Sequence, residues 1–340
     1  MTTIYDFKSK INKSELTEIS ELLKNGKLVI FPTETVYGIG ANALNKEAVD
    51  NIFIAKGRPN DNPIIVHVSA SDKIKDYAKS ISKIEQKLID AFMPGPFTII
   101  LKKKNIIPNN VSANLDTIGI RIPSNKIAKK ILEACDLPIA APSANISSKP
   151  SGTKVSDIFE EFNNKVSAIV DGGNSKIGLE STVVKVIDNI PTILRPGKIT
   201  KEDIEKVIGV CNYSESLNEI TNGVVESPGM KYKHYAPQKP CTLIYNDDED
   251  KLLEILRKQD KNTIIIGPDE YKYKFKTKVY LTYGSINNLN EISHNIFSLL
   301  READHVTGDS ITIVGVKKEG LGIAIMNRLL KSASYNYIEK

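Results

Sequence analysis

The chain has 340 residues, 41% of them hydrophobic and 26% charged, with a formal net charge of +5. That length is too great for one ordinary core and predicts two domains, and the ordinary apolar share excludes a disordered chain. No apolar run approaches the ~18 residues of a membrane span, and the mild basic excess suits anionic small molecules without amounting to a nucleic-acid tail.

The opening "MTTIYDFKSK" lacks the apolar stretch of a signal peptide, so a cytoplasmic location is expected. "KSELTEISELLKNGK" predicts a helix with a serine cap, closed by Gly26. "KLVIFP" is a buried strand ended by Pro32, "NKEAVDNIFIAKG" a helix and "NPIIVHV" a second strand. Helices are expected around 71–77 and 82–92, then a turn feeding the strand "FTIILKKK". "TIGIRIPS" reads as a strand, "NKIAKKILEAC" as a helix, and "LPIAAPSAN" as a strand entering a loop. After a helix at 155–163, "VSAIVDGG", "STVVKVI" and "PTILRPG" read as three strands. Residues 1–205 therefore form an α+β layer domain.

A helix at 201–208 gives way to a polar, turn-rich linker over about 206–239 that contains "SPGMKYKHYAP". A stretch of that length without periodicity is expected to work as a lid or tether, with Lys231, Lys233, His234 and Tyr235 as its ligand-facing candidates. From residue 240 to 340, strands at "CTLIYN", "NTIIIG", "KVYLTY" and "SITIVGV" alternate with helical segments. That alternation predicts a small, parallel, Rossmann-like α/β domain.

The three cysteines, Cys135, Cys211 and Cys241, stand far apart without a C-x-x-C, which points to reduced thiols. The four histidines show no metal-ligand spacing. "GIGANA" at 38–43 matches G-x-G-x-x-A, but Pro32 to Tyr37 separate it from the strand, so a plain turn is expected. In "AKGRPNDNP", Lys56 and Arg58 flank a glycine at a helix end. They either clamp a polyphosphate, with lysine as point charge and arginine as fork, or complement the helix dipole. "APSANISSKPSGT" is a small-residue loop in which Ser143, Asn145 and Ser151 suit an anion cradle or a plain connection. Ser181, Arg195 and Arg121 sit in or beside strands, where each can serve structure or face a pocket, while a lone strand histidine such as His67 is more often structural.

Taken together and in order, "FPTETVYGIGANA", "AKGRPNDNPIIVHV", "MPGPFTIIL", "GIRIPS", "APSAN", "GLESTVV" and "LRPG" resemble the YrdC-like family, in particular its threonylcarbamoyl-AMP synthases, over about residues 10–200. The linker and trailing region resemble the two-domain form. The resemblance implies a twisted mixed sheet with a concave pocket and a nucleotidyltransferase that uses ATP, L-threonine and bicarbonate. It also implies Mg2+ and a product consumed by a tRNA threonylcarbamoyl-transfer complex. By resemblance, Lys56, Arg58, Ser143 and Asn145 are catalytic; Arg58, Asn62, Thr117, Ser143, Ser151, Arg195 and Tyr235 bind ATP; Thr35, His67, Arg121, Ala141 and Ser181 bind threonine. No protein metal ligand and no membrane contact are implied. A weak tRNA contact is, and a double-stranded-RNA-binding module without catalysis is the alternative reading.

Overall fold

The computed structural model describes residues 1–218, 226, 235–274, 276–277 and 279–339, so the linker's Lys231, Lys233 and His234 lie outside the described residues. The chain divides into two compact units. The first comprises Met1–Ser147, Gly152–Lys176 and Glu180–Tyr232; the second comprises Ser148–Ser151, Ile177–Leu179 and Lys233–Lys340.

The first unit carries eleven strands among the described residues: β1 (Thr3–Asp6), β2 (Val29–Phe31), β3 (Gly38–Asn42), β4 (Val66–His67), β5 (Phe97–Lys102), β6 (Thr117–Arg121), β7 (Ile139–Ala140), β8 (Ala168–Asp171), β9 (Thr182–Ile187), β10 (Ile190–Arg195) and β11 (Asn212–Tyr213). They form one mixed sheet in the order β1-β8-β2-β3-β7-β4-β6-β5-β9-β10-β11. Its helices are α1 (Lys13–Lys24), α2 (Lys46–Lys56), α3 (Ile74–Tyr77), α4 (Lys83–Phe92), α5 (Asn109–Ser112), α6 (Lys126–Cys135), α7 (Val155–Phe162) and α8 (Lys201–Ile208). Local chemistry sets their ends. Asn45 caps α2 by accepting from the Ala48 N–H, and Gly57 closes it in the left-handed region at φ 59°. Ser82 and Glu85 form a reciprocal capping box on α4. The serine cap expected for α1 is corrected: Asn12 caps it, taking the Ser14 N–H with its amide oxygen.

A second correction concerns "GIGAN". It is not a turn but β3, antiparallel to β2, with Ile39 opposite Ile30. Its glycine has a packing reason, because a Cβ on Gly40 would come within 2.6 Å of the Phe31 ring and 2.9 Å of Ile139. The sequence reading also missed the edge strands β1 and β11 and the second unit's edge strand Tyr337–Glu339; β1 pairs in parallel with β8.

Among the described residues the second unit holds a five-stranded parallel sheet in the order β14-β13-β15-β12-β16, built from β12 (Cys241–Tyr245), β13 (Thr263–Gly267), β14 (Val279–Thr282), β15 (Ser310–Val314) and β16 (Tyr337–Glu339). Its helices are α9 (Glu249–Arg257), α10 (Leu289–His305) and α11 (Leu321–Ser332). Leu252, Leu253 and Leu256 of α9 pack with Ile244, Ile265, Tyr271 and Val314 to form a core. The α+β first unit and the parallel α/β second unit match the expected fold class. Among the described residues no disulfide joins the three cysteines, all of which are buried, and no helix is long and apolar enough to cross a membrane.

Candidate functional site

Strand register decides which side chains of the first unit share a face. His67 lies opposite Arg121 in the β4–β6 pair, and Ile99 opposite Ile120 puts Thr98 beside Arg121. Thr98 in turn faces Val183 across β5–β9. Side chains alternate along a strand, so His67, Arg121, Thr98 and Val183 point one way and Val66, Ile120, Ile99 and Val184 the other. The latter set joins the main core. The former face carries a separate small apolar cluster of Ile65, Ile100, Val183 and Leu194. Gly119 leaves room there, because a Cβ would come within 3.1 Å of Thr98 and 3.3 Å of Ile100.

Polar groups gather at one end of this apolar floor. Arg121 donates to Glu34 Oε1 at 2.6 Å, to Thr35 Oγ1 at 2.9 Å and to the Gly95 carbonyl at 3.3 Å. "TET" looks exposed in the sequence, yet Thr33, Glu34 and Thr35 are 3%, 5% and 1% exposed. Burial alone raises the pKa of Glu34, but the charge and hydrogen bond of Arg121 more than offset it, and the carboxyl sits below its usual range. His67 is pushed down to about 3, first by burial and then by the positive Arg121, so it is the neutral imidazole. Its Nδ1 is buried without a hydrogen-bond partner.

The strand entrance at Ser181 completes this end. The Ser181 hydroxyl lies 2.8 Å from Thr98 Oγ1, and Arg195 donates to the Ser181 carbonyl and hydroxyl at 3.1 Å each. Gly197 lets the turn after Arg195 close onto this entrance, since a Cβ would sit 2.5 Å from the Thr182 nitrogen. At the other end of the same face, Thr117 and Lys185 meet Glu226. Lys185 Nζ reaches both carboxylate oxygens at 2.7 Å, and the Thr117 hydroxyl reaches Oε1 at 3.4 Å.

The loop after β7 is tied to the end of α2. Lys56 is 3% exposed and donates to the carbonyls of Ser143 and Asn145 at 2.6 and 2.7 Å. The Ser143 hydroxyl donates to Asn145 Oδ1 at 2.6 Å. Ala141 enters the loop with its N–H bonded to the Ile65 carbonyl, and its methyl would sit 3.3 Å from a Cβ on Gly38. Lys56 is thus a buried brace holding that loop, while Arg58 lies over the Phe53 ring at 5.8 Å and donates to the Asn62 carbonyl at 3.0 Å. Asn62 is fully buried, and neither its side-chain oxygen nor its nitrogen has a hydrogen-bond partner. Orphaned buried amides are rare in a native structure and fit a group that a ligand completes.

Ser151 and Tyr235 fall within the second unit. Ser151 is fully buried; the Tyr235 ring packs against Phe297 at 5.0 Å between centroids. Among the described residues no group of three or more His, Cys, Asp or Glu could hold a metal. Sequence reasoning missed Glu34, Thr98, Lys185 and Glu226. For Glu34 no local signal existed: between two threonines it reads as solvated, and only the fold brings Arg121 to it.

The Sua5/YciO/YrdC family model, described as "Telomere recombination", matches residues 21–197. A second, described as "Threonylcarbamoyl-AMP synthase, C-terminal domain", matches residues 199–334. The chain is 38% identical to the threonylcarbamoyl-AMP synthase of Pyrococcus abyssi, with 100% of each chain covered. It is 38% identical to that of Bacillus subtilis, covering 95% of this chain and 94% of the relative. The crystal structure of Pyrococcus abyssi Sua5 complexed with L-threonine superposes with a TM-score of 0.93 at 38% identity, covering 100% of both chains.

Proposed function

The chain belongs to the Sua5/YciO/YrdC family, and from that premise we infer that it is an L-threonylcarbamoyladenylate synthase, a nucleotidyltransferase that joins ATP, L-threonine and bicarbonate for the threonylcarbamoyladenosine modification of tRNA. The observation that carries this reading is the end-to-end likeness of both units to synthases of that activity, including one crystallised with threonine.

The chemistry has two steps. The threonine amine takes up bicarbonate with loss of water to give a carbamate, and a carbamate oxygen then attacks the α-phosphorus of ATP while pyrophosphate leaves. Neither step needs a nucleophilic side chain. What the protein must supply is orientation and fixed positive charge toward the leaving pyrophosphate. In our proposal Arg121 holds the threonine carboxylate with N–H donors beyond those it gives to Glu34, Thr35 and Gly95. Neutral His67, Thr35, Ala141 and Ser181 complete that end. Arg58, Asn62, Thr117, Ser143, Ser151, Arg195 and Tyr235 take the nucleotide, and Lys56 and Asn145 act with Arg58 and Ser143 in catalysis. For Lys56 the support is its double hold on the Ser143–Asn145 loop. Mg2+ is proposed as the companion of ATP, where it would supply positive charge as pyrophosphate leaves.

The remaining assignments belong to the same proposal: a catalytic domain at 1–205, a linker or lid at 206–239, a Rossmann-like domain at 240–340, a cytoplasmic setting, delivery to a tRNA threonylcarbamoyl-transfer complex, and a weak tRNA contact. Mass spectrometry of the product from ATP, bicarbonate and threonine tests the reading, with threonine-dependent pyrophosphate release as the companion measurement. A folded chain that binds double-stranded RNA and releases no pyrophosphate overturns it.

A further inference from the structure

In the second unit, β12 and β15 are neighbours in a parallel sheet, yet the chain leaves them in opposite directions. From β12 it runs through α9 to β13, beyond β15; from β15 it runs through α11 to β16, beyond β12. Adjacent strands whose connections leave in opposite directions open a crevice past their carboxyl ends, where open α/β sheets bind ligands. Here the crevice is a cavity of about 460 Å3, within the range of small-molecule sites.

Its lining has a definite chemistry. Tyr271, which is 5% exposed, and Leu252, which is 2% exposed, give it an apolar wall. Among the described residues the one cation on the lining, Lys317, is matched by Glu319 at 2.8 Å. Asp247 makes no salt bridge among the described residues and accepts only the Tyr245 hydroxyl, at 2.6 Å. The Asn246 amide oxygen is taken by the Asp248 N–H at 2.8 Å, which turns Nδ2 away; that nitrogen is buried and has no acceptor. The crevice therefore offers a carboxylate with one hydroxyl donor and room for more, a buried N–H donor that wants an acceptor, and an apolar wall.

We propose that this crevice binds a ribonucleoside moiety, separate from the nucleotide site assigned to the first unit. The ribose hydroxyls donate to Asp247, a ring nitrogen or carbonyl of the base accepts from Asn246 Nδ2, and the base lies against Tyr271 and Leu252. An acidic side chain just past a strand end is how doubly wound folds hold a ribose. The charge-neutral Lys317–Glu319 pair leaves the nucleoside, not its phosphate, as the recognised part.

Hydrogen-exchange mass spectrometry on the full chain with AMP, UMP and 2′,3′-dideoxy-AMP tests this without reference to catalysis. At millimolar AMP or UMP, peptides spanning 245–252 should exchange at least several-fold more slowly. The dideoxy compound should give no such protection, and Asp247→Asn, an exposed substitution, should abolish it while threonine-dependent pyrophosphate release stays at wild-type level. No protection with either ribonucleotide overturns the proposal. So does protection that survives Asp247→Asn or the loss of both ribose hydroxyls.

Discussion

Arg121 and Glu34 form an ion pair at 2.6 Å with side chains only 5% and 7% exposed, so each is the other's condition for being buried. Removing one partner of such a pair leaves an uncompensated charge, which typically costs about 3–5 kcal/mol. Glu34→Ala should therefore destabilise the first unit by that order in urea unfolding, and it should raise the KM for threonine by freeing the fork from its fixed orientation. Arg121→Lys should keep more stability than Arg121→Ala yet lose threonine binding, because an ammonium cannot reproduce three directed N–H bonds. Wild-type stability in Glu34→Ala would show that the pair does not organise the site.

His67 gives a pH signature. Its folded pKa of about 3 lies below the ordinary 6.5, because burial and Arg121 both oppose the charged form. Above pH 6.5 the ring is neutral in both states and contributes no slope. As pH falls below 6.5 the unfolded chain takes the proton first, so stability is lost progressively toward pH 3, at up to about 1.4 kcal/mol per pH unit for one proton. Glu34 adds its own loss below its ordinary value of 4.5, where the unfolded carboxyl begins to be protonated. The window from pH 6.5 to 4.5 is therefore the clean one: His67→Gln should show a shallower slope there than wild type. Parallel curves for the two proteins would place a charged imidazole in the fold.

Lys56 and Arg58 should separate in their effects. Sequence alone treats them as twin cations on a turn, and it favours loss of activity from either without loss of fold. The structure changes that for Lys56, whose ammonium braces the carbonyls of Ser143 and Asn145. Lys56→Ala should cost roughly 1–3 kcal/mol of stability as well as activity, because two buried acceptors lose their donor. Arg58→Ala should leave stability near wild type and act on the chemical step, where losing a preorganised charge costs on the order of 2.7–4 kcal/mol. Thermal melts beside turnover numbers read both. Full turnover by Arg58→Ala would remove it from the phosphate site.

How much of this the sequence carried follows from the physics of each feature. Strand and helix periodicity is local, so most elements of both units were legible, whereas the proposed roles of His67, Arg121 and Ser181 follow from the resemblance and not from the residues alone. Gly40 was misread because its reason is the Phe31 ring across a strand pair, which no local pattern encodes. Glu34 was passed over for a similar reason: a carboxylate between two threonines looks solvated until the fold brings Arg121 to it. The edge strands β1 and β11 are short and only partly buried, and so lack the alternation that marks a strand.

Substrate choice should favour threonine over serine and valine. The polar end of the site, with Thr35, His67, Arg121 and Ser181, adjoins the apolar cluster of Ile65, Ile100, Val183 and Leu194. Serine lacks a methyl, worth about 1–3 kcal/mol in an apolar pocket, while valine leaves a buried polar partner of the hydroxyl unmatched. Specificity constants for the three amino acids measure this, and equal values would exclude a threonine-shaped site.

Glu226 occupies donors that the nucleotide is proposed to need. Its carboxylate takes Lys185 Nζ through both oxygens at 2.7 Å and reaches the Thr117 hydroxyl at 3.4 Å, on the same sheet face as Arg121. A carboxylate held by a lysine and a threonine stands in for any anionic or acceptor group of similar size, so ATP on Thr117 must compete with it. The side chains of Lys185 and Glu226 are 29% and 27% exposed, which makes the contact weak enough to exchange. Glu226→Gln should therefore lower the KM for ATP a few-fold while leaving the KM for threonine unchanged, and Lys185→Ala should raise the KM for ATP. The double variant separates the causes. If Lys185 serves ATP directly, the double variant keeps a high KM; if Lys185 only restrains Glu226, it returns to the value of Glu226→Gln alone. An ATP KM unmoved in all three variants would remove Thr117 and Lys185 from the nucleotide's path.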